Sequence, residues 1–117
     1  MTPAPIKPEI SIDDLDKIDI RAGTITDAQA VEGSRKLAAL QVEFGDHQRQ
    51  ILAGIVQERA DLSEIVGLQA LFVVNLPARE MAGARSEGML FDIGYADGIT
   101  PVLAVTEQNI PNGARAG

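Results

Sequence analysis

Short apolar runs that alternate with polar residues, separated by glycine-containing turns, constrain this fold more than any other feature. Residues 40–44 read Leu-Gln-Val-Glu-Phe, an alternation typical of a strand that buries one of its two faces. Gly45 and Asp46 predict a tight turn, and residues 47–53 predict the returning strand, with Ile51 pointing inward. The chain is therefore expected to consist of short strands joined by tight connections.

A short helix and five or six strands account for the rest of the pattern. Ser11 followed by Asp14 matches a capping box, which predicts a helix from there to about Lys17. Gly23 interrupts the alternation of the next strand, and we predict a β-bulge at that residue. Residues 54–67 are helix-like. The predicted strands span 19–31, 40–44, 47–53, 68–75, 86–95 and 99–105.

The number of strands and the chain length together predict the architecture. A chain of 117 residues fits one domain, with a flexible Pro-rich arm over residues 1–9 and the folded domain over residues 10–117. A helical insert between the third and fourth of five strands is typical of the OB-fold, a small barrel that binds oligonucleotides. We therefore predict an all-β, five-stranded OB-fold barrel with short helices. Only 3% of the residues are aromatic, so Val, Ile, Leu and Ala are expected to fill its core.

Little in the composition supports catalysis or metal binding. The absence of Cys excludes disulfides, thiolate metal sites and a cysteine nucleophile, and His47 is the only histidine. The acidic group Asp13, Asp14 and Asp16 is better explained by a helix N-terminus than by a metal site. Ser86 lacks the GxSxG context of a hydrolase nucleophile. We predict no enzymatic activity, no cofactor and no metal.

Nothing in the sequence indicates membrane insertion or export. No apolar run approaches the roughly 20 residues that a membrane-spanning helix needs. The N-terminal residues lack the charged and apolar regions of a signal peptide. We expect a cytoplasmic protein without a membrane partner.

The net charge of −7 argues by itself against a nucleic-acid partner. The charges are unevenly distributed, however, because residues 1–33 are strongly acidic whereas residues 34–59 have a small excess of basic side chains. An acidic protein can still present a local basic face. Its few phosphate contacts would give a modest, salt-sensitive affinity.

The first candidate binding segment precedes the strand at residue 40. Ser34, Arg35 and Lys36 follow a glycine there, and backbone N–H groups, a hydroxyl and two cations could together hold a phosphate. The alternative is a polar loop whose charges are solvated.

The second candidate segment, residues 75–89, is expected to be a long loop between two strands. Its candidate contact residues are Asn75, Arg79, Arg85, Ser86 and Met89. Arginine suits bidentate contacts with phosphate. Met89 could equally start a strand in the core, and Asn75 could cap a strand end.

Five short motifs occur in an order that resembles a known family. They are Asp19-Ile20-Arg21-Ala22-Gly23, Gly33-Ser34-Arg35-Lys36-Leu37, Ala53-Gly54-Ile55, Asn75-Leu76 and Ser86-Glu87-Gly88-Met89. Each is loose by itself, but together they resemble the tRNA-binding domain family over about residues 10–117. That family includes small stand-alone tRNA-binding proteins, C-terminal domains of methionyl-tRNA synthetases and the secretion chaperone CsaA.

The resemblance implies an OB-fold whose stand-alone members are homodimers, joined here through the first helix and the residues after Val105. It also implies recognition of tRNA by its overall shape, which suits RNA because its grooves hide the base edges. Ser86 and Met89 match the family's RNA-contacting positions, and residues 34–36 align with its basic loop. A link to methionyl-tRNA synthetase is a further implication.

The resemblance leaves two other functions open. The motif Ser86-Glu87-Gly88-Met89 and residues 51–56 differ from the pattern of the chaperone branch and favour tRNA binding. The motif Asp19-Ile20-Arg21-Ala22-Gly23, the closing Pro111-Asn112-Gly113 and the acidic charge instead favour a CsaA-like export chaperone that binds unfolded preprotein segments. The other function is that of a subunit that binds a synthetase in trans and supplies its affinity for tRNA.

Overall fold

The computed structural model describes residues 2–57 and 59–117, and it consists almost entirely of β-strands. The elements in chain order are α1 (Ile12–Leu15), β1 (Ile20–Ala30), β2 (Leu37–Glu43), β3 (Gln48–Gly54), β4 (Gln69–Val73), β5 (Arg79–Met81), β6 (Ala84–Ser86), β7 (Met89–Leu90), β8 (Asp92–Ile93), β9 (Val102–Leu103) and β10 (Arg115–Ala116). Two 3₁₀ turns, Leu62–Ile65 and Tyr95–Asp97, interrupt the series.

The main sheet curls because one long strand belongs to both of its halves. The strand order is β3-β2-β1-β4-β7, and every pair is antiparallel. The first part of β1 pairs with β4, from Ile20 to Thr24, and the second part pairs with β2, from Thr24 to Ala30. β10 adds to β1 near its start. The predicted all-β barrel fold is confirmed.

The two ends of the curled sheet meet where the chain leaves β6. The backbone N–H of Glu87 donates to the carbonyl of Gln50 on β3 at 2.8 Å. Gly88 follows with φ of 151°, and a Cβ there would lie 2.9 Å from the carbonyl oxygen of Val73. Glycine is needed at this position because the chain passes so close to the β4 backbone.

Aliphatic side chains fill the interior, as the composition predicted. The largest fully buried side chains are Phe72, Ile25, Leu40, Ile51, Ile55 and Val42. Phe44 packs edge-on against Phe72 with 5.7 Å between the ring centres. The alternation over residues 40–44 therefore placed its apolar members correctly.

One buried amide ties the C-terminal segment to the sheet. Gln69 on β4 is only 6% exposed. Its Nε2 donates to the carbonyl of Ile110 at 2.7 Å and to Oδ1 of Asn112 at 2.9 Å. Its Oε1 accepts from the hydroxyl of Thr106 and from the N–H of Ile110. Because every polar atom of this buried side chain is satisfied, the amide fixes the path of the tail at little cost.

The predicted N-terminal cap is confirmed, although the helix is shorter than expected. Ser11 Oγ accepts from the N–H of Asp14 at 3.1 Å, and α1 ends at Leu15 instead of Lys17. Residues 2–10 are exposed and have no regular secondary structure. Within the described residues, no helix is long and apolar enough to cross a membrane.

The prediction of a bulge at Gly23 was wrong. The register of β1 against β2 shifts between Ile25 and Asp27, two to four residues later. Gly23 has a different role, because a Cβ there would lie 2.6 Å from Cγ1 of Val42 and 2.8 Å from Cε1 of Phe44. Glycine at this position makes room for two buried side chains of the neighbouring strand.

The predicted helix over residues 54–67 was also wrong. β3 extends to Gly54, and beyond it the N–H of Val56 still donates to the carbonyl of Lys36 at 3.0 Å. Only the 3₁₀ turn Leu62–Ile65 follows, with the carboxylate of Asp61 accepting from the N–H of Ser63. Glu58 lies outside the described residues. Ile55 and Ile65 of this segment are buried in the barrel, whereas Val66 is exposed, so its apolar residues do not form one buried face of a helix.

The predicted strands near the C-terminus are broken into shorter pieces. The segment 86–95 contributes the end of β6, then β7 and β8, because these pieces pair with three different strands, β5, β4 and β9. The segment 99–105 contributes β9 and a single bridge from Val105 to Ala70.

Replacing Gly23 by Ala is expected to lower the free energy of unfolding by about 1–3 kcal/mol, because the added methyl group overlaps the side chains of Val42 and Phe44. Urea denaturation measures the change. Gly54→Ala is the matched control, since the nearest atom to its new Cβ is Cδ of Lys36 at 3.9 Å. Equal losses for the two variants would contradict this account of Gly23.

Candidate nucleic-acid interface

The outer face of β2 and β3 carries a row of hydrogen-bonded amides. Gln41 Nε2 donates to Gln50 Oε1 at 2.9 Å, and Gln50 Nε2 donates to the carbonyl of Arg85 at 2.9 Å. Gln48 Nε2 reaches the hydroxyl of Thr26 at 3.3 Å. In barrels of this type, the face of strands 2 and 3 and the adjoining loops bind oligonucleotides. We call this the β2–β3 face.

Sequence reasoning did not select Gln41 or Gln50 as candidate contacts. The available signal was position, because Gln41 lies between the buried Leu40 and Val42 and therefore faces outward, and Gln50 is its direct partner on β3. Amide side chains offer both a donor and an acceptor, so they can pair with base edges or sugar hydroxyls.

The first basic loop lies at one end of the β2–β3 face. Ser34 Oγ accepts from the N–H of Leu37 at 3.2 Å, so this hydroxyl shapes the turn that leads into β2. Arg35 and Lys36 are exposed, and neither side chain has an ion pair or a hydrogen bond within the described part of the chain. Two solvated cations therefore stand where the strand begins.

The segment 75–89 is not the plain loop that the sequence predicted. It contains the antiparallel hairpin formed by β5 and β6. Ala82 and Gly83 connect the two strands with φ of 50° and 78°, and positive φ at both positions is typical of a type I′ turn. The hairpin was missed because each strand has only three residues and Ala is an unusual residue at such a turn.

The hairpin separates the two arginines that the sequence had grouped together. Arg79 pairs with Ser86, whereas Arg85 pairs with Glu80. Directly paired residues in an antiparallel ladder share one face, so the two arginines lie on opposite faces of the hairpin. Both are exposed, and Glu80 on the Arg85 face offsets part of its positive charge.

Ser86 lies in the seam, the contact between β3 and residues 86–88 that closes the barrel. It is 3% exposed, its Oγ accepts from the N–H of Leu52 at 3.0 Å, and its hydroxyl donates to the carbonyl of Gly88 at 3.0 Å. This geometry gives the hydroxyl a structural task in the free protein. Contact of Ser86 with RNA stays a prediction.

Asn75 and Met89 lie at the two ends of the same segment. Asn75 Oδ1 accepts from the N–H of Asp19 at 2.9 Å, and its Nδ2 donates to the carbonyl of Lys17 at 2.6 Å. The amide thus fixes the start of β1 against the end of β4, close to the capping role considered for it. Met89 lies on β7 and is 49% exposed, so it is not a core side chain.

Charged side chains at the open end of the barrel are largely paired with one another. Hydrogen bonds from the guanidinium of Arg21 lower the pKa of Asp19, and Arg115 adds to this effect. A hydrogen bond from His47 lowers the pKa of Asp46. A polar cavity of about 350 Å³ lies between these groups. Within residues 2–57 and 59–117, no cluster of three His, Asp or Glu side chains could hold a metal ion.

The curled sheet, its amide-bearing face and the flanking cations define a β-barrel of the nucleic-acid-binding class. Residues 20–115 match the family described as "Putative tRNA binding domain", and the chain belongs to that family.

Curated relatives contain the same domain as a small part of larger enzymes. The chain is 36% identical over 110 residues to the methionine–tRNA ligase of Clostridium acetobutylicum, covering 94% of this chain and 17% of that enzyme. It is 40% identical over 99 residues to the methionine–tRNA ligase of Salinibacter ruber, covering 84% of this chain and 14% of that enzyme. The chain therefore spans less than a fifth of the length of these relatives.

Solved structures of similar size share the whole architecture. A MetRS-related protein from Pyrococcus horikoshii superposes with a TM-score of 0.86 at 30% identity, covering 95% of this chain and 100% of that one. The chaperone CsaA from Bacillus anthracis superposes with a TM-score of 0.82 at 27% identity, covering 94% of this chain and 100% of that one.

Ser86→Ala is expected to lower the free energy of unfolding by about 1–3 kcal/mol, because the buried N–H of Leu52 loses its acceptor. Ser34→Ala is the control, since that hydroxyl also accepts from a backbone N–H but in a half-exposed loop where water can replace it. Urea denaturation of both variants measures the difference. A Ser86→Ala variant as stable as Ser34→Ala would exclude the seam role.

Proposed function

We propose that this protein is a non-catalytic, structure-specific tRNA-binding protein that acts in the cytoplasm as a homodimer. The observation that carries the proposal is the exposure of Arg35, Lys36, Arg79 and Arg85 around the β2–β3 face of a tRNA-binding family domain. The cations would contact phosphates, and the amides of Gln41 and Gln50 would contact sugars or base edges. RNA recognition of this kind depends on shape more than on sequence.

The overall charge limits the strength of the proposed interaction. A net charge of −7 repels RNA at long range, so binding depends on local contacts at the cations of the β2–β3 face. Glu80 and Glu87 also lie in the hairpin segment and offset its two arginines. We expect modest affinity that falls steeply as salt concentration rises.

Removing cations that border the β2–β3 face should reduce both tRNA affinity and its salt dependence. For Arg35→Ala, Lys36→Ala and Arg85→Ala, the magnitude of the slope of log K against log salt is expected to fall by about 1 for each phosphate that the variant no longer neutralises. Electrophoretic shifts of total tRNA over a salt series give the slopes. Arg79→Ala, tested separately, shows whether the other hairpin face also meets RNA.

Lys7→Ala is the charge-matched control for these variants. Lys7 is exposed and lies outside the matched residues 20–115, so its removal changes net charge alone. An equal change in slope for Lys7→Ala would show that the slope depends only on the net charge of the protein. The absence of any tRNA shift by the unaltered protein at low salt would refute the proposal.

An apolar surface at the chain termini supports the homodimer. α1 buries none of its own residues, and Ile12, Leu15 and Ile18 are 69%, 51% and 47% exposed. With Leu71 and Phe91 they line a groove of about 730 Å³ next to β10. A four-residue helix is not stable by itself and needs tertiary contacts. A second copy can supply those contacts, because a two-fold axis brings the same patch of each protomer together.

A dimer would also present two β2–β3 faces to one tRNA. Two linked contacts raise the overall affinity through effective concentration, which would compensate for the weakness of each face. The bent shape of tRNA would then be matched by the separation of the two faces.

Leu15→Glu is expected to convert the dimer to a monomer, because it places a charge in the apolar groove. Val66→Glu is the control, since Val66 is a comparably exposed apolar residue that does not line that groove. Sedimentation equilibrium measures both masses. A monomeric unaltered protein, or equal dissociation of the two variants, would contradict the assignment.

A link to methionyl-tRNA synthetase is supported by the relatives. They carry this domain within methionine–tRNA ligases, and this chain would supply tRNA affinity to such an enzyme in trans. Co-purification with methionyl-tRNA synthetase, and a lower KM for tRNA when the two are mixed, would be expected. No change in KM would exclude this assistance.

Export chaperone activity is the second candidate function. The similarity to the chaperone CsaA and the apolar groove favour binding of unfolded segments, and the net charge of −7 suits segments with basic residues. A protein that suppresses aggregation of an unfolded client and shifts no tRNA at low salt would establish this function. The motif at residues 86–89 favours tRNA binding.

A further inference from the structure

Arg49 fastens the β5–β6 hairpin to the barrel. It pairs with Val42 on β2 and lines the polar cavity at the open end of the barrel. Its Nη1 donates to the carbonyl of Val74 at 2.7 Å and to the carbonyl of Glu87 at 3.1 Å. These carbonyls stand at the two ends of the segment 75–86, which carries the hairpin. One guanidinium therefore holds both ends of that segment against β3.

A second set of contacts fixes the orientation of this guanidinium. Its Nε–H donates to Nε2 of His47 at 3.0 Å, and its Cζ lies 5.9 Å from the centre of the Phe44 ring. Because arginine has no acceptor, Nε2 is the unprotonated nitrogen of His47, and Nδ1–H donates to Oδ1 of Asp46 at 2.6 Å. The His47 ring also stacks on Phe44 with 5.5 Å between ring centres.

The side chain of Arg49 points away from the β2–β3 face. Successive residues of a strand point to opposite sides of the sheet, and Gln50 is the neighbour that faces outward. Nε and Nη1 of Arg49 already donate hydrogen bonds to acceptors within the protein. These placements favour a role inside the protein over contact with a phosphate.

We propose that Arg49 is a positioning residue for the proposed tRNA surface. Its hydrogen bonds to the carbonyls of Val74 and Glu87 set the orientation of the hairpin and so place Arg79 and Arg85 beside the β2–β3 face. The expected effect on tRNA affinity rests on the proposed function, whereas the hydrogen bonds that hold the hairpin are a property of the free protein. Lysine cannot replace Arg49, because its ammonium group lacks the planar fork that reaches two carbonyls and an imidazole at once.

The test compares Arg49→Lys with Arg59→Lys in the full chain. Arg59 is a matched control, since its Nη1 also donates to a backbone carbonyl, that of Ile55 at 2.9 Å. Amide hydrogen exchange of the free protein, followed by NMR, should show weaker protection in Arg49→Lys at residues 79–87 and full protection in β1, β2 and β4. Total tRNA should bind about tenfold more weakly, with an unchanged salt slope. Arg59→Lys should change neither quantity.

Two results would overturn the proposal. One is unchanged hairpin protection and full tRNA affinity in Arg49→Lys. The other is a salt slope reduced by about 1 in Arg49→Gln with the hairpin still protected, which would identify Arg49 as a phosphate contact. Failure of the unaltered protein to bind tRNA would refute the proposed function. The exchange measurement would still decide whether Arg49 holds the hairpin against the barrel.

A loss of protection in every strand of Arg49→Lys would indicate general unfolding, and His47→Leu then decides. This variant removes the acceptor for Nε but spares the bonds from Arg49 to Val74 and Glu87. A smaller loss of protection confined to residues 79–87 would support the proposal. A loss of protection in β1, β2 and β4 as large as that in residues 79–87 would overturn it.

Discussion

The sharing of β1 between two strand partners is the constraint on which the rest of the structure depends. One part of this strand pairs with β4 and the other with β2, so the sheet must curl where the partners change. Gly23 lies next to Thr24, where the partner of β1 changes, and its missing side chain leaves space for Val42 and Phe44. Curling brings the two edges of the sheet near each other, which creates both the core and the seam.

The seam joins the fold to the candidate site. The edge of β3 meets the chain at residues 86–88 through a backbone bond from Glu87 to Gln50 and through the buried hydroxyl of Ser86. Arg49 adds a third connection from the opposite side of β3. The same strand therefore closes the barrel and fixes the base of the hairpin that carries Arg79 and Arg85. Stability and RNA affinity are expected to be coupled through it.

The charge distribution separates two surfaces with different proposed partners. The cations around the β2–β3 face are exposed, whereas Arg21 and Arg115 are held by Asp19 near the apolar groove at the termini. Neutralised arginines and exposed isoleucines suit contact with a second copy of the chain. Solvated cations beside amides suit a phosphate backbone. An acidic protein can thus keep a nucleic-acid surface on one side and a protein surface on another.

The sequence by itself determined the first four strands, the aliphatic core, the capped first turn and the family. These features depend on neighbours along the chain, where periodicity and capping residues act directly. The same reasoning failed at residues 54–67 and at Gly23, because the barrel interior decided both. The cations that it selected, Arg35, Lys36, Arg79 and Arg85, are exposed, and their contact with RNA stays a prediction. It did not select Gln41, Gln50 or Arg49. Only the tertiary structure decided that Ser86 is buried and that Arg79 and Arg85 face opposite ways, since both facts follow from which strands meet across the seam.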